Sequence, residues 1–126
     1  MTTAFWVAIG GALGAVGRYG LAGLVQRAVR SSFPWGTGVV NVLGCLAIGF
    51  LMVWLRATEA SAGGRGFLIV GVLGGFTTFS AFGWETVALL QEGAWERALL
   101  YALGSVALAA LAVMVGIALG DALFRD

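Results

Sequence analysis

The chain has 126 residues, 60% of them hydrophobic and 10% charged, with a mean hydropathy of +0.99. A soluble domain carries about 25% charged residues, so the balance describes an integral membrane protein. A net charge of +1, with seven arginines, no lysine and no histidine, excludes the basic face of a nucleic-acid binder and removes the commonest general base and metal ligand.

Four apolar segments follow one another, each long enough to span a bilayer. The first covers about residues 4–28 and is uncharged up to Arg18. Met1-Thr2-Thr3-Ala4 lacks the basic stretch of a signal peptide and the apolar run is too long for one, so this segment is expected to stay in the membrane. The second (35–55) and fourth (98–120) carry no charge, and the third (66–90) is uncharged up to Glu85. Short connections join them: Pro34 after Ser31-Ser32-Phe33 marks a stop and restart, and Ala62-Gly63-Gly64 a flexible turn. The expected fold is all-α: one domain of four transmembrane helices. The single cysteine, Cys45, reads as a small packing residue.

With four spans, Arg56, Arg65 and Arg125 fall on one side and Arg27, Arg30 and Arg97 on the other. Orientation normally follows an excess of basic residues on the cytoplasmic side; here the count ties. The sequence therefore predicts dual topology, with oppositely oriented copies pairing. Gly10 with Gly14, Gly71 with Gly75 and Gly116 with Gly120 have the spacing of close helix contacts. Some are expected to pack within one subunit and others to join two.

Polar residues at membrane depth are costly and face a bundle interior or a cavity. Arg18 either snorkels to the interface or sets a positive charge at an aqueous vestibule. Thr37, Asn41, Gly44 and Ile48 share a face of the second segment; the Asn41 amide either donates to an anion or bonds another helix. The third segment holds the least lipid-like stretch of the chain, Gly71 to Glu85. Its glycine pair, Gly74-Gly75, and the hydroxyls of Thr77, Thr78 and Ser80 predict a break at mid-membrane, where freed carbonyls can hold a cation. Phe79 and Phe82 lie one turn apart, and ring edges attract a small anion weakly. Glu85 ends the helix at the interface or takes part in gating or structure. Tyr101 and Ser105 share a face of the fourth segment and extend the polar track or bond the preceding turn.

Three motifs carry a family resemblance: Gly10-Gly11-x-x-Gly14-Ala15-x-x-Arg18-Tyr19, Gly36-Thr37-x-x-x-Asn41-x-x-Gly44, and Gly71-x-x-Gly74-Gly75-x-Thr77-Thr78-Phe79-Ser80-x-Phe82-x-x-Glu85. Over essentially its whole length the chain resembles the Fluc-type (CrcB) fluoride channels. The resemblance implies an antiparallel, dual-topology homodimer in a bacterial plasma membrane, passing fluoride passively and protecting against its toxicity. It implies a structural sodium ion at the dimer centre on the main-chain carbonyls of Gly74 and Thr77. Phe79 and Phe82 would line the fluoride path, with Asn41, Ser80, Tyr101 and Ser105 as its polar groups beside Thr37 and with Arg18 toward the vestibule. Ala81 stands where the family often has threonine, which leaves the polar track shorter or water-filled.

The rival readings are a small four-helix, dual-topology cation or drug exporter, and a structural subunit of a larger membrane complex. The exporter needs an acid in the first segment, whose charges are arginines. An enzyme is excluded by the lack of any nucleophile–base pair.

Overall fold

The computed structural model describes residues 2–124; Arg125, one of the arginines in the orientation count, lies outside them. Six α-helices and one π-helical stretch make four candidate spans. They are α1 (Thr2–Val29), α2 (Trp35–Ala57), α3 (Ala62–Arg65), the π-helical Gly66–Leu73, α4 (Gly74–Phe76), α5 (Phe79–Gln91) and α6 (Trp95–Phe124). The third span, Ala62–Gln91, combines α3, the π stretch, α4 and α5. All four are long and apolar enough to cross a membrane.

The helices run past the expected hydropathic ends at one or both termini. Helical hydrogen bonding does not require apolar side chains, so the helices continue into the polar zone until a cap stops them. Ser61 caps α3 by accepting the Gly64 N–H at 3.2 Å. Arg65 donates to the Leu55 carbonyl at 3.0 Å and to the Ala60 carbonyl at 3.2 Å, closing the C-terminal end of α2. Gln26 does the same work at the other side of the membrane: it donates to the carbonyls of Ser31 and Phe33 and accepts from Gly36 N–H at 3.1 Å.

Two helix pairs form the frame. α1 lies against the π stretch and α4; α2 lies against α6. Glycine sets both distances. A Cβ on Gly14 would sit 2.1 Å from the Val72 carbonyl oxygen, and one on Gly75 2.4 Å from that of Gly11. Likewise a Cβ on Gly49 would meet the Val113 oxygen at 2.3 Å, and one on Gly116 the Leu46 oxygen at 2.2 Å. The three glycine pairs picked out by spacing therefore close contacts inside one subunit: Gly10 meets Gly71, Gly14 meets Val72 and Phe76, and Gly75 meets Gly11, while Gly116 and Gly120 meet α2.

The side-chain core is small. Val40 and Leu55 are fully buried, and Leu89, Ala98 and Tyr101 form a cluster with Phe33 and Phe82 against it. Large apolar residues elsewhere point outward, as expected where lipid is the solvent.

Candidate functional site

The backbone of the third span leaves helical geometry at two residues. Thr77 (φ −80°, ψ 157°) and Thr78 (φ −149°, ψ 118°) are extended between α4 and α5. Sequence and packing both impose this. The Thr78 hydroxyl accepts the Ala81 N–H at 3.2 Å and so caps α5; β-branched threonine favours extended backbone. From α2, the Asn41 amide takes both main-chain groups of Thr78: its oxygen accepts the Thr78 N–H at 2.8 Å and its nitrogen donates to the Thr78 carbonyl at 2.9 Å. Gly44, one turn along α2, leaves room for the Thr77 methyl, which a Cβ there would meet at 2.2 Å.

These bonds have a consequence for the carbonyls. In a continuous helix the Gly74 oxygen would accept from the Thr78 N–H and the Thr77 oxygen from the Ala81 N–H. The first donor goes to Asn41 and the second to the Thr78 hydroxyl. Gly74 and Thr77 are therefore each denied their usual i+4 partner. Gly74 is also exposed.

A second cluster lies along α5. The Glu85 carboxylate accepts from the Thr37 hydroxyl at 2.7 Å on one oxygen and from the Tyr101 hydroxyl at 2.6 Å on the other. This ties α2, α5 and α6 together through one side chain. Thr37 and Tyr101 are both buried, and hydrogen bonds to a charged group are the strong ones. The Tyr101 ring stacks at 5.3 Å from Phe82, which lies 5.5 Å from Phe79. Phe79 is 83% exposed, touched on one side by Phe82.

Two grooves meet at Thr78. One, of about 440 Å³, is lined by Asn41, Gly74, Thr77, Phe79, Phe82 and Ser105 among others. The other, of about 660 Å³, is lined by Arg18, Tyr19, Thr37, Ser80 and Trp84 among others. The residues singled out from sequence thus divide. Asn41, Thr77, Phe79, Phe82 and Ser105 gather in the aromatic groove with Gly74; Arg18, Thr37 and Ser80 gather in the basic one. The Ser80 hydroxyl lies 3.3 Å from that of Thr78, which touches both grooves. Tyr101 lines neither, and its hydroxyl is turned to Glu85.

Of the two uses weighed for Asn41, bonding another helix is the one seen, and one of its two N–H groups remains. Of the readings weighed for Glu85, the structural one is the one seen: it ties Thr37 and Tyr101 together one turn past Phe82. Sequence reasoning missed Gln26, a polar side chain late in an apolar segment.

Four spans packed by glycine, with an interrupted third helix between an aromatic and a basic groove, define a small multi-pass membrane protein with a polar site at mid-span. Known proteins agree. The family model described as CrcB-like protein, Camphor Resistance (CrcB), matches residues 5–117. The fluoride-specific ion channel FluC of Opitutus terrae is 48% identical over 120 residues, covering 92% of this chain and 90% of that protein. That of Thermus thermophilus is 50% identical over 117 residues, 93% of this chain and 94% of its own length, and that of Paracoccus denitrificans 48% over 121 residues, 94% of each. The chain belongs to the CrcB family.

Proposed function

We propose that this protein is a fluoride channel rather than an enzyme, and that fluoride leaves the cell through it passively across the bacterial plasma membrane. The observation that carries the reading is the Thr77–Thr78 interruption held open by Asn41, with the Phe79 and Phe82 rings beside it. Membership of the CrcB family and the curated function of the relatives support it.

Fluoride is small and strongly hydrated, so a path must replace its water at close range without trapping it. The remaining Asn41 N–H, the Ser105 and Ser80 hydroxyls and the ring edges supply weak donors, and none of these carries a full charge. Arg18 adds a fixed positive charge at the wider groove, concentrating anions at the entrance. Thr37 and Tyr101 act through Glu85: their hydroxyls hold its side chain between α2 and α6. Among the described residues no Asp or Glu lines either groove, which favours simple flow over exchange.

The working unit in this reading is a pair of oppositely oriented copies. Exposed Phe79 and the Gly74 and Thr77 carbonyls sit on one face, in the groove that a second copy would close. Sodium fits these carbonyls: they are neutral oxygens denied helical partners, the kind of donor that broken membrane helices offer to sodium. Two carbonyls are an incomplete shell, and a twofold-related copy supplies two more. Bound there, sodium contributes a fixed positive charge to the centre of the path.

The test is ion efflux from liposomes containing the purified protein, read with a fluoride electrode and a chloride electrode. Fluoride efflux well above chloride, without obligatory proton uptake and slowed by Phe82→Ile, is expected. Equal chloride efflux, or a fixed proton stoichiometry, would overturn the reading. A drug exporter is not favoured, because the charges of α1 are Arg18 and Arg27.

A further inference from the structure

A third groove, of about 380 Å³, runs between the N-terminal halves of α2 and α6. Its walls are Phe33, Val39, Val42, Gly104 and Leu108, with the buried ring of Tyr101 at its floor. It adjoins the aromatic groove, sharing Ser105 with it, but opens on the Val39 side of α2. At 100° per residue, Val39 and Val42 lie about 60° or more around α2 from Asn41, Cys45 and Ile48, which line the aromatic groove, while Gly38 stands at the border, in line with Cys45. A second copy that closes the aromatic groove on the Asn41 side leaves the Val39 side of this one to lipid.

The mouth of the groove is basic. Arg97 lies one turn before Leu100, which lines the groove, and donates to the Ser32 hydroxyl at 2.8 Å, next to Phe33 on the opposite wall. The guanidinium therefore ties α6 to the connection that leads into α2, at the point where the apolar walls end. Ser32 is neutral, and no carboxylate among the described residues is within ion-pair reach of Arg97. Exposed Trp35 and Trp95 stand at the same end, the residue type that marks headgroup depth. A slot lined with apolar side chains and topped by an arginine at the aromatic belt has the layout of a phospholipid: chain below, phosphate above.

We propose that this groove holds one acyl chain of an anionic phospholipid whose phosphate is bound by Arg97. Two features fit a chain rather than a bulky side chain of a partner. The glycines Gly38 and Gly104 leave the walls low: a Cβ on Gly104 would meet nothing within 4 Å, and one on Gly38 only the Tyr101 ring at 3.9 Å. The groove is also open along the membrane normal, from Pro34 and Trp35 at its mouth to Leu43 and Leu108 deeper in the spans. The lipid would press on the back of the Tyr101 ring, whose hydroxyl holds Glu85.

Native mass spectrometry of the purified full-length protein, given phosphatidylglycerol, phosphatidylcholine of the same chains, or inorganic phosphate, tests this. Phosphatidylglycerol should be retained in preference to phosphatidylcholine. Arg97→Gln should reduce that preference about fivefold, the worth of one arginine at an anionic membrane surface, and Arg97→Lys should keep most of it. Gly104→Leu fills the groove at a helical position open enough to accept it, and should reduce retention of both lipids with Arg97 intact. Equal retention of the two lipids, a preference unchanged in Arg97→Gln, retention unaffected by Gly104→Leu, or inorganic phosphate bound as tightly as the lipid would each overturn the proposal. None of these outcomes depends on fluoride conduction.

Discussion

Replacing Asn41 by leucine tests the central geometry most directly. The side chains are of similar size, but leucine can satisfy neither the N–H nor the carbonyl of Thr78. Each main-chain group left without a partner away from water costs about 1–3 kcal/mol. Membrane helices often recover part of such a loss by finding other partners, so roughly 2–4 kcal/mol is the expected total for the two. The recovery route is itself informative. With Asn41 gone, the Thr78 N–H can return to the Gly74 oxygen, which lengthens α4 and hides one of the bare carbonyls. Fluoride efflux from liposomes should then fall by at least about 100-fold, the equivalent of roughly 2.7 kcal/mol. Thermal stability followed by fluorescence-detected size exclusion should drop at the same time. Asn41→Asp, which keeps the acceptor for the Thr78 N–H but not the donor to its carbonyl, should lie between the two. An Asn41→Leu protein with native stability and native efflux would refute the argument that this amide holds the interruption open.

The remaining expectations concern other contacts. Gly14→Leu should prevent α1 from reaching the third span, since even a Cβ would stand 2.1 Å from the Val72 oxygen, and the protein should fail to elute as a single species; Gly20→Ala, where nothing lies within 4 Å, should be neutral or stabilising by about 0.5–1 kcal/mol. Thr37→Val and Tyr101→Phe each remove one donor to Glu85, and each should destabilise by about 1.5–3 kcal/mol. Made together in a Glu85→Gln background they should cost less than the sum, which a double-mutant cycle on melting temperature reads. Arg18→Gln should slow fluoride entry at low ionic strength and converge on the native rate as salt rises, because the attraction acts over a screened distance.

The four spans were legible from hydropathy because nothing else in a chain this apolar competes with that signal. Their ends were less so: Ser61, Gln26 and Arg65 stop the helices through side-chain bonds to backbone, which do not follow hydropathy. Gly71 to Glu85 stood out as unlike lipid-facing helix, since its composition is local. Which hydroxyl faces which groove was not legible. Ser80 and Ser105, both chosen as polar-track residues, line different grooves, and Tyr101 turns away to Glu85, because those directions depend on how α2 meets α5 and α6. Glycine spacing told that backbones approach one another, and not whether they belong to one chain or two.

The pin that holds the interruption comes from α2, and α2 is itself seated by Gly49 and Gly116 against α6, the fourth span and made after the third. A ribosome finishing this chain releases the third span before its final neighbour exists. During that interval the helix that carries Asn41 rests on α1 without its seat on α6, and the opening acquires its permanent shape when α6 arrives. Truncation before residue 95 should therefore leave a third span whose Thr78 amide exchanges with water faster than in the complete protein, measured by hydrogen exchange in nanodiscs; equal protection would place the event earlier in biogenesis.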